Sequence, residues 1–256
     1  MKRNAAETAR VRALVRARSP LAPDETERVI AAEFGAMPPI VAYLRARFGF
    51  GARRVLEVGS HFGRHLSYWG AGSEGIDARP AAARFTTALG FPTRVLNVED
   101  GFGSLSPGAF DAVHSNNLLE HLVAPHLFLL RVHRLLAAGG VLVVGHPVVP
   151  RARRLWEAGG IRGWAAAEHV SFFTPATVRL TCERAGFEVV EQLAPALLRL
   201  HPRAARLGVG WLPGCYSICR KRPAFRYDAK RDPVFDPTAL HDELAPLHAA
   251  AYGASS

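Results

Sequence analysis

The chain has 256 residues, 49% hydrophobic and 21% charged, which suits one folded domain with additions and excludes a disordered chain. No apolar run approaches the roughly eighteen residues of a membrane-spanning helix, and an odd set of three cysteines, Cys182, Cys215 and Cys219, argues against a disulfide framework and for a reducing cytoplasm, with the thiols read as small buried residues. The net charge of +10 invites a nucleic-acid partner, but every basic residue except Lys2, Lys221 and Lys230 is an arginine, and they are scattered; the clusters Arg151-Arg153-Arg154 and Arg220-Lys221-Arg222 lack the interleaved aromatics that stack bases, so an anionic small molecule or plain solvation fits better.

Residues 1–50 read as a helical cap. Met1 to Arg18 is basic and nearly free of acid, loosely like a transit peptide, and reads as a surface helix; no secretory signal is visible. Asp24 and Glu27 stand at capping-box spacing ahead of Val29, Ile30 and Phe34. Pro38-Pro39 breaks that run, and Ile40 to Phe48 forms another short helix, with Gly49 and Gly51 as the hinge.

The core domain spans 51–222. Arg54 to Val58 is an apolar strand, and Gly59 allows a sharp turn at its end. A short helix is expected after Gly63. Strands follow at Ser73 to Ile76, Thr93 to Leu96, Phe110 to His114 and Val141 to Val144. Between them, Pro80 opens a helix to Leu89, and Pro125 to Leu136 forms one stopped by Gly139-Gly140. This alternation predicts a mostly parallel sheet with helices on both faces. After some thirty residues, Thr174-Pro175 opens a helix ending at Ala185-Gly186, and strands at Phe187 to Leu193 and Tyr216 to Arg220 form an antiparallel pair at the sheet edge. Residues 223–256 read as a polar, proline-punctuated tail ending in a short helix.

The turn after the first strand decides the cofactor class. A dinucleotide fingerprint wants glycines at 59, 61 and 64, and only Gly59 is one; His61 and Arg64 occupy the others. Asp77, ending the second strand, can accept two hydrogen bonds from the vicinal hydroxyls of a ribose, or can serve as a helix N-cap; the same acid would suit NAD. Asn97-Val98 follows the third strand, where Asn97 can equally form a turn.

The pattern Glu57-x-Gly59-x-x-x-Gly63 resembles motif I of class I S-adenosylmethionine-dependent methyltransferases, with His61 where a third glycine is usual. Phe110-Asp111-Ala112-Val113 with Leu119-Glu120-His121, and Leu136-Ala137-Ala138-Gly139-Gly140, resemble segments of small-molecule enzymes of that family, including ubiquinone-type O-methyltransferases. The resemblance covers roughly residues 52–193 and implies a Rossmann-like α/β fold whose last strand runs antiparallel. It implies S-adenosylmethionine held by Glu57, Gly59, Ser60, His61, Gly63 and Asp77. Asn97 and Val98 would meet the adenine, and Ser115 and Asn116 the sulfonium and amino-acid end. Some ubiquinone-type relatives bind a divalent ion through E-x-x-E-H; here the first carboxylate is Asn117, so no metal site is assigned. Glu120 and His121 then read as fixing a helix start.

Related enzymes also carry H-x-x-x-F-T-P near the acceptor pocket, matched by His169, Phe173, Thr174 and Pro175. His169 is one candidate general base and His146, after the fifth strand, the other; each can equally be a structural histidine. Trp164, Phe172 and Phe173 suit an acceptor pocket or a core. The sequence therefore predicts methyl transfer to a small molecule, with oxygen as the favoured atom. An RNA or DNA methyltransferase, a nicotinamide oxidoreductase and a non-catalytic binding protein of the same fold are the rivals.

Overall fold

The computed structural model describes residues 2–225; almost all of the expected tail lies outside the described residues. Helices α1 (Lys2–Arg18), α2 (Pro23–Glu33) and α3 (Pro39–Phe48) precede the sheet. Then come β1 (Val55–Val58), β2 (Glu74–Asp77), α4 (Pro80–Ala88), β3 (Thr93–Val95), β4 (Phe110–Asn116), α5 (Pro125–Leu135) and β5 (Leu136–Pro147). The chain continues through α6 (Arg153–Ala158), α7 (Pro175–Arg184), β6 (Phe187–Leu193), α8 (Pro195–Leu198), α9 (Pro202–Leu207) and β7 (Gly214–Lys221).

Proline sets many helix starts. Pro23, Pro39, Pro80, Pro125, Pro175, Pro195 and Pro202 each occupy the first turn, where a missing N–H costs nothing. Pro23 overrides the expected capping box: α2 starts one residue before Asp24, without a side-chain cap, and Glu27 instead pairs with Arg16 at 2.6 Å.

The sheet order is β3-β2-β1-β4-β5-β7-β6. The first five strands are parallel, and β7 runs antiparallel between β5 and β6, so β6 is the outermost strand at that side. The order reverses between β1 and β4, which opens a crevice at their carboxyl ends. Between β6 and β7, where no clear crossover helix was expected, the chain makes α8 and α9. Gly139 and Gly140 do not stop α5; it ends at Leu135, and the glycines lie in the irregular entry to β5.

Two apolar layers sandwich the sheet. Leu56, Val58, Val113, Leu142 and Val144 face α5 and α7. Val55, Ala112, Val143 and Ile218 face Val11, Val15, Phe34, Val41 and Leu44 of α1–α3, together with Phe85 of α4. The N-terminal helices are thus continuous with the core. They cover the face where a helix after Gly63 would sit; in its place is a single 3-10 turn, Leu66–Tyr68. The chain there doubles back tightly over the entry to β1. A Cβ on Gly70 would lie 2.4 Å from Arg53 O. Gly70→Ala should therefore lower unfolding free energy by about 1–3 kcal/mol, read as an earlier urea midpoint.

Candidate active site

At the end of β1 the turn is tied to β2. The Gly59 and Ser60 N–H groups both donate to Ile76 O, at 2.8 and 3.0 Å, and Gly63 N–H closes the turn on Ser60 O. Gly59 and Gly63 take φ of 75° and 79°, a region open to glycine at little cost. Between them His61 holds φ 49°, a strained value for a side chain with a Cβ. The second glycine makes room sideways: a Cβ on Gly63 would sit 2.9 Å from Thr86 Cγ2 of α4.

Asp77 explains how the strained His61 is kept. Its Oδ2 accepts the His61 N–H at 2.7 Å, and its Oδ1 accepts the Arg79 N–H at 2.9 Å and Arg79 Nε at 3.2 Å. The buried carboxylate lines a cavity of 820 Å³ at the carboxyl ends of β1, β2 and β4. Gly59, Ser60, His61, Asn97, Val98 and Asn116 line it too. So do Glu33 of α2 and Arg64, His65, Glu99, Asn117 and His121, which sequence reasoning did not assign to the cofactor. Asn117 is signalled only by tolerance of a left-handed backbone; its φ is 50° and its N–H donates to Gly145 O at 2.8 Å. Burial and the Arg79 charge lower the pKa of His61, with Glu33 and Asp77 opposing.

Beyond Asp77, the chain from β3 forms a turn. Asn97 Oδ1 accepts the Glu99 N–H at 3.1 Å, and Asn97 lines the cavity. Arg131 of α5 clamps the turn through Val98 O and Glu99 O, and Glu99 Oε1 accepts Val123 and Ala124 N–H at the start of α5. Ser115 is fully buried and lies off the cavity wall. Asn116 reaches the cavity beside Gly145, where a Cβ would be 2.3 Å from its Oδ1.

Glu57 lies off the cavity wall. Strand alternation turns it to the α1–α3 face, where it is buried beneath the turn. Trp69 Nε1 donates to its Oε2 at 2.6 Å, while His114 Nδ1 and His65 Nδ1 approach Oε1 at 3.0 and 3.3 Å. Burial alone would raise its pKa; the charge and hydrogen bond of His114, joined by His65, win and hold it at about 2.

Neither histidine proposed as a base lines the cavity. His146 is buried against Phe173, with Nδ1 facing Pro147 O at 3.1 Å. His169 is half-buried, with Nδ1 facing Trp164 O at 3.1 Å, and its ring meets that of His121 edge-on at 4.9 Å. Trp164 and Phe173 are core residues, whereas Phe172 is exposed. Beside these rings Glu120 is 1% exposed, and burial raises its carboxyl pKa against the opposing charges of His121 and His169. The three cysteines are free and buried. No described helix is long and apolar enough to cross a membrane.

Burial lowers His146 to about 4, and burial with the Lys221 charge lowers His133 to about 4, from an ordinary 6.5. The unfolded chain takes up these protons first, so their contribution is complete above 6.5 and lost as pH falls toward 4. Replacing His146 by Met should shrink the stability lost between about pH 7 and pH 5 by about 1–2 kcal/mol, as read from urea titrations at both values.

The comparisons agree with this geometry. The sequence model of a methyltransferase domain family matches residues 14–192. No curated protein matches the sequence. A SAM-dependent methyltransferase from Thermotoga maritima superposes with a TM-score of 0.54 at 19% identity, covering 78% of this chain and 96% of its own. An S-adenosylmethionine-dependent methyltransferase from Mesorhizobium loti gives 0.51 at 19% identity, over 70% of this chain and 96% of its own. The cyclase SpnF gives 0.55 at 17% identity, over 73% and 82%. These structures share the fold, and the family match spans most of the chain. The chain belongs to the methyltransferase domain family and carries its class I, S-adenosylmethionine-dependent form.

Proposed function

We propose that this enzyme methylates a small molecule, with oxygen as the accepting atom. The observation that carries the reading is the 820 Å³ cavity with a buried carboxylate, Asp77, on its wall. Its lining fits the cofactor's parts. Asp77 accepts the ribose hydroxyls, and Leu96, Val98 and Leu122 flank the adenine, with Asn97 at its amino group. Arg64 meets the amino-acid carboxylate. Ser60, whose buried Oγ has no partner among the described residues, lines the methionine end with His61. Asn116 and Asn117 stand beside the sulfur. Glu57 and Gly63 act from beneath by fixing the turn, and Ser115 by packing under Asn116.

When bound, the cofactor supplies a methyl group already activated by its sulfonium. The chain's work is to align the acceptor and exclude water. The loop between β5 and α7 and the Glu33 end of α2 flank that space. Of the two histidines, His169 is the better-placed proton acceptor, because His146 is sealed under Phe173. Similarity to ubiquinone-type enzymes along β4 and β5 supports oxygen.

The charge keeps RNA methylation as a second reading. A groove of 660 Å³ is lined by Arg47, Arg53, Arg179, Arg206 and Arg220. It lies at the entry of β5 and the exit of β7, at the opposite end of the sheet from the cavity. Arg206 is moreover paired with Glu191. A polyanion held there would not present a base to the methyl group, which favours the small acceptor.

Calorimetry with S-adenosylmethionine, its demethylated product and NADH tests the cofactor; binding of NADH alone would overturn the reading. Transfer of labelled methyl to a panel of hydroxylated small molecules, with RNA in parallel, tests the acceptor. Cofactor binding without any turnover would mark a binding protein. Asp77→Ala should weaken binding of the demethylated product roughly 10- to 100-fold, as expected for charged hydrogen bonds worth about 1.5–3 kcal/mol. Unchanged affinity would remove Asp77 from the ribose.

A further inference from the structure

The arginine groove of 660 Å³ takes no part in the methyl transfer proposed above. Five arginines from five places line it: Arg47 at the end of α3, Arg53 before β1, Arg179 of α7, Arg206 of α9 and Arg220 of β7. One carboxylate, Glu191, shares the lining. It is engaged by Arg206 and by the Tyr43 hydroxyl, which donates to it at 2.7 Å. Arg179 is 3.7 Å from Glu183, which lies off the wall. Among the described residues no carboxylate pairs with Arg47, Arg53 or Arg220; Glu188, opposite Arg220 in register, lies off the wall too. Main-chain oxygens hold two of the arginines in place. Arg53 Nε donates to Phe48 O at 2.7 Å and its Nη1 to Asp111 O at 3.4 Å, while Arg179 Nη1 donates to Val189 O at 3.2 Å. Such bonds orient a guanidinium and leave its charge intact. Arg47 lies over the Phe48 ring at 5.8 Å. Phe48, Val141, Val190 and Val209 supply an apolar wall beside these charges.

We propose that this groove binds a small organic diphosphate. Guanidinium groups gathered around one groove without carboxylates repel one another, and an anion relieves that repulsion. A planar guanidinium fork matches phosphate oxygens two at a time. A lone carboxylate would balance only one of Arg47, Arg53 and Arg220, whereas a diphosphate balances most of their charge. The apolar wall then receives the organic part, and the groove has the volume of a small-molecule site. A polynucleotide fits less well. Phe48 is the one aromatic residue in the lining, and Arg47 lies over its ring, so successive bases have nothing to stack on. The groove and the cofactor cavity lie at opposite ends of the sheet. The diphosphate is therefore neither the methyl donor nor the acceptor, and the chain holds it together with the cofactor.

The test is calorimetry on the full chain at low salt, with the demethylated cofactor present in excess to fill the other cavity. Inorganic pyrophosphate, a short-chain alkyl diphosphate and a short single-stranded RNA are titrated in turn. One diphosphate per chain is expected, with the alkyl diphosphate binding more tightly than pyrophosphate because of the apolar wall. Arg47→Gln combined with Arg220→Gln should weaken both at least 10-fold, as loss of charge-assisted hydrogen bonds requires. Both side chains are exposed, so the urea midpoint of this variant should not move. Arg153→Gln combined with Arg154→Gln removes the same charge from α6 and should bind both diphosphates as the parent does. The proposal is overturned if the parent takes up neither diphosphate. It is equally overturned if the two double variants lose affinity alike, which would leave only net charge at work. Tighter binding of the RNA than of the alkyl diphosphate, lost with Arg47 and Arg220, would make the groove a polynucleotide surface instead.

Discussion

The structure turns on one buried negative charge. Glu57 sits in the middle of the sheet, on the second of its two faces, where an uncompensated carboxylate would cost several kcal/mol. Trp69, His114 and His65 compensate it, and each comes from a different place: the segment after the 3-10 turn, β4, and the residue before that turn. The pairing therefore joins β1 to β4, where Glu57 already lies opposite His114 in register, and pins the short segment that replaces a helix. With 64–69 held down on one side and Gly59 and Ser60 tied to Ile76 on the other, the strained His61 has little freedom. Asp77 then completes the hold from β2. The same carboxylate that is suited to a sugar thus also braces the turn that faces it.

What could be read from the sequence was mainly local. The strand ending at Val58, the glycine turn, Asp77 at the end of β2 and the proline-opened helices need only neighbouring residues, and they placed the cavity. The direction of Glu57 was within reach, because alternation puts it opposite Leu56 and Val58. The resemblance drew it to the cofactor, whereas its partners lie beneath. The short turn after Gly63 was harder to see: the close approach of Gly70 to Arg53 depends on how the chain returns to β2. Nor does the basic, weakly patterned α1 announce that Val11 and Val15 complete a face of the sheet. Glu120, His121 and His169 meet only because main-chain bonds join segments some fifty residues apart, which no periodicity records.

The shared fold does not by itself specify chemistry: the cyclase SpnF has it as much as the methyltransferases do. In this chain the sheet and its glycine turn build the cavity wall, while the excursion between β5 and α7 meets that wall at His121, whose ring packs on that of His169. That excursion is closed at its base, where Val149 N–H meets Phe173 O at 2.8 Å. It is hooked on one side to the β6–β7 connection through Arg151 N–H on Gly210 O and Trp156 on Trp211 O. On the other side it is fastened to Glu120 O. Between these clamps Leu155, Ile161, Val170 and Phe172 are exposed, so they add little to the core. Changes of side chain there leave the Glu57 network alone, because among the described residues its partners are Trp69, His114 and His65, none of which comes from the excursion.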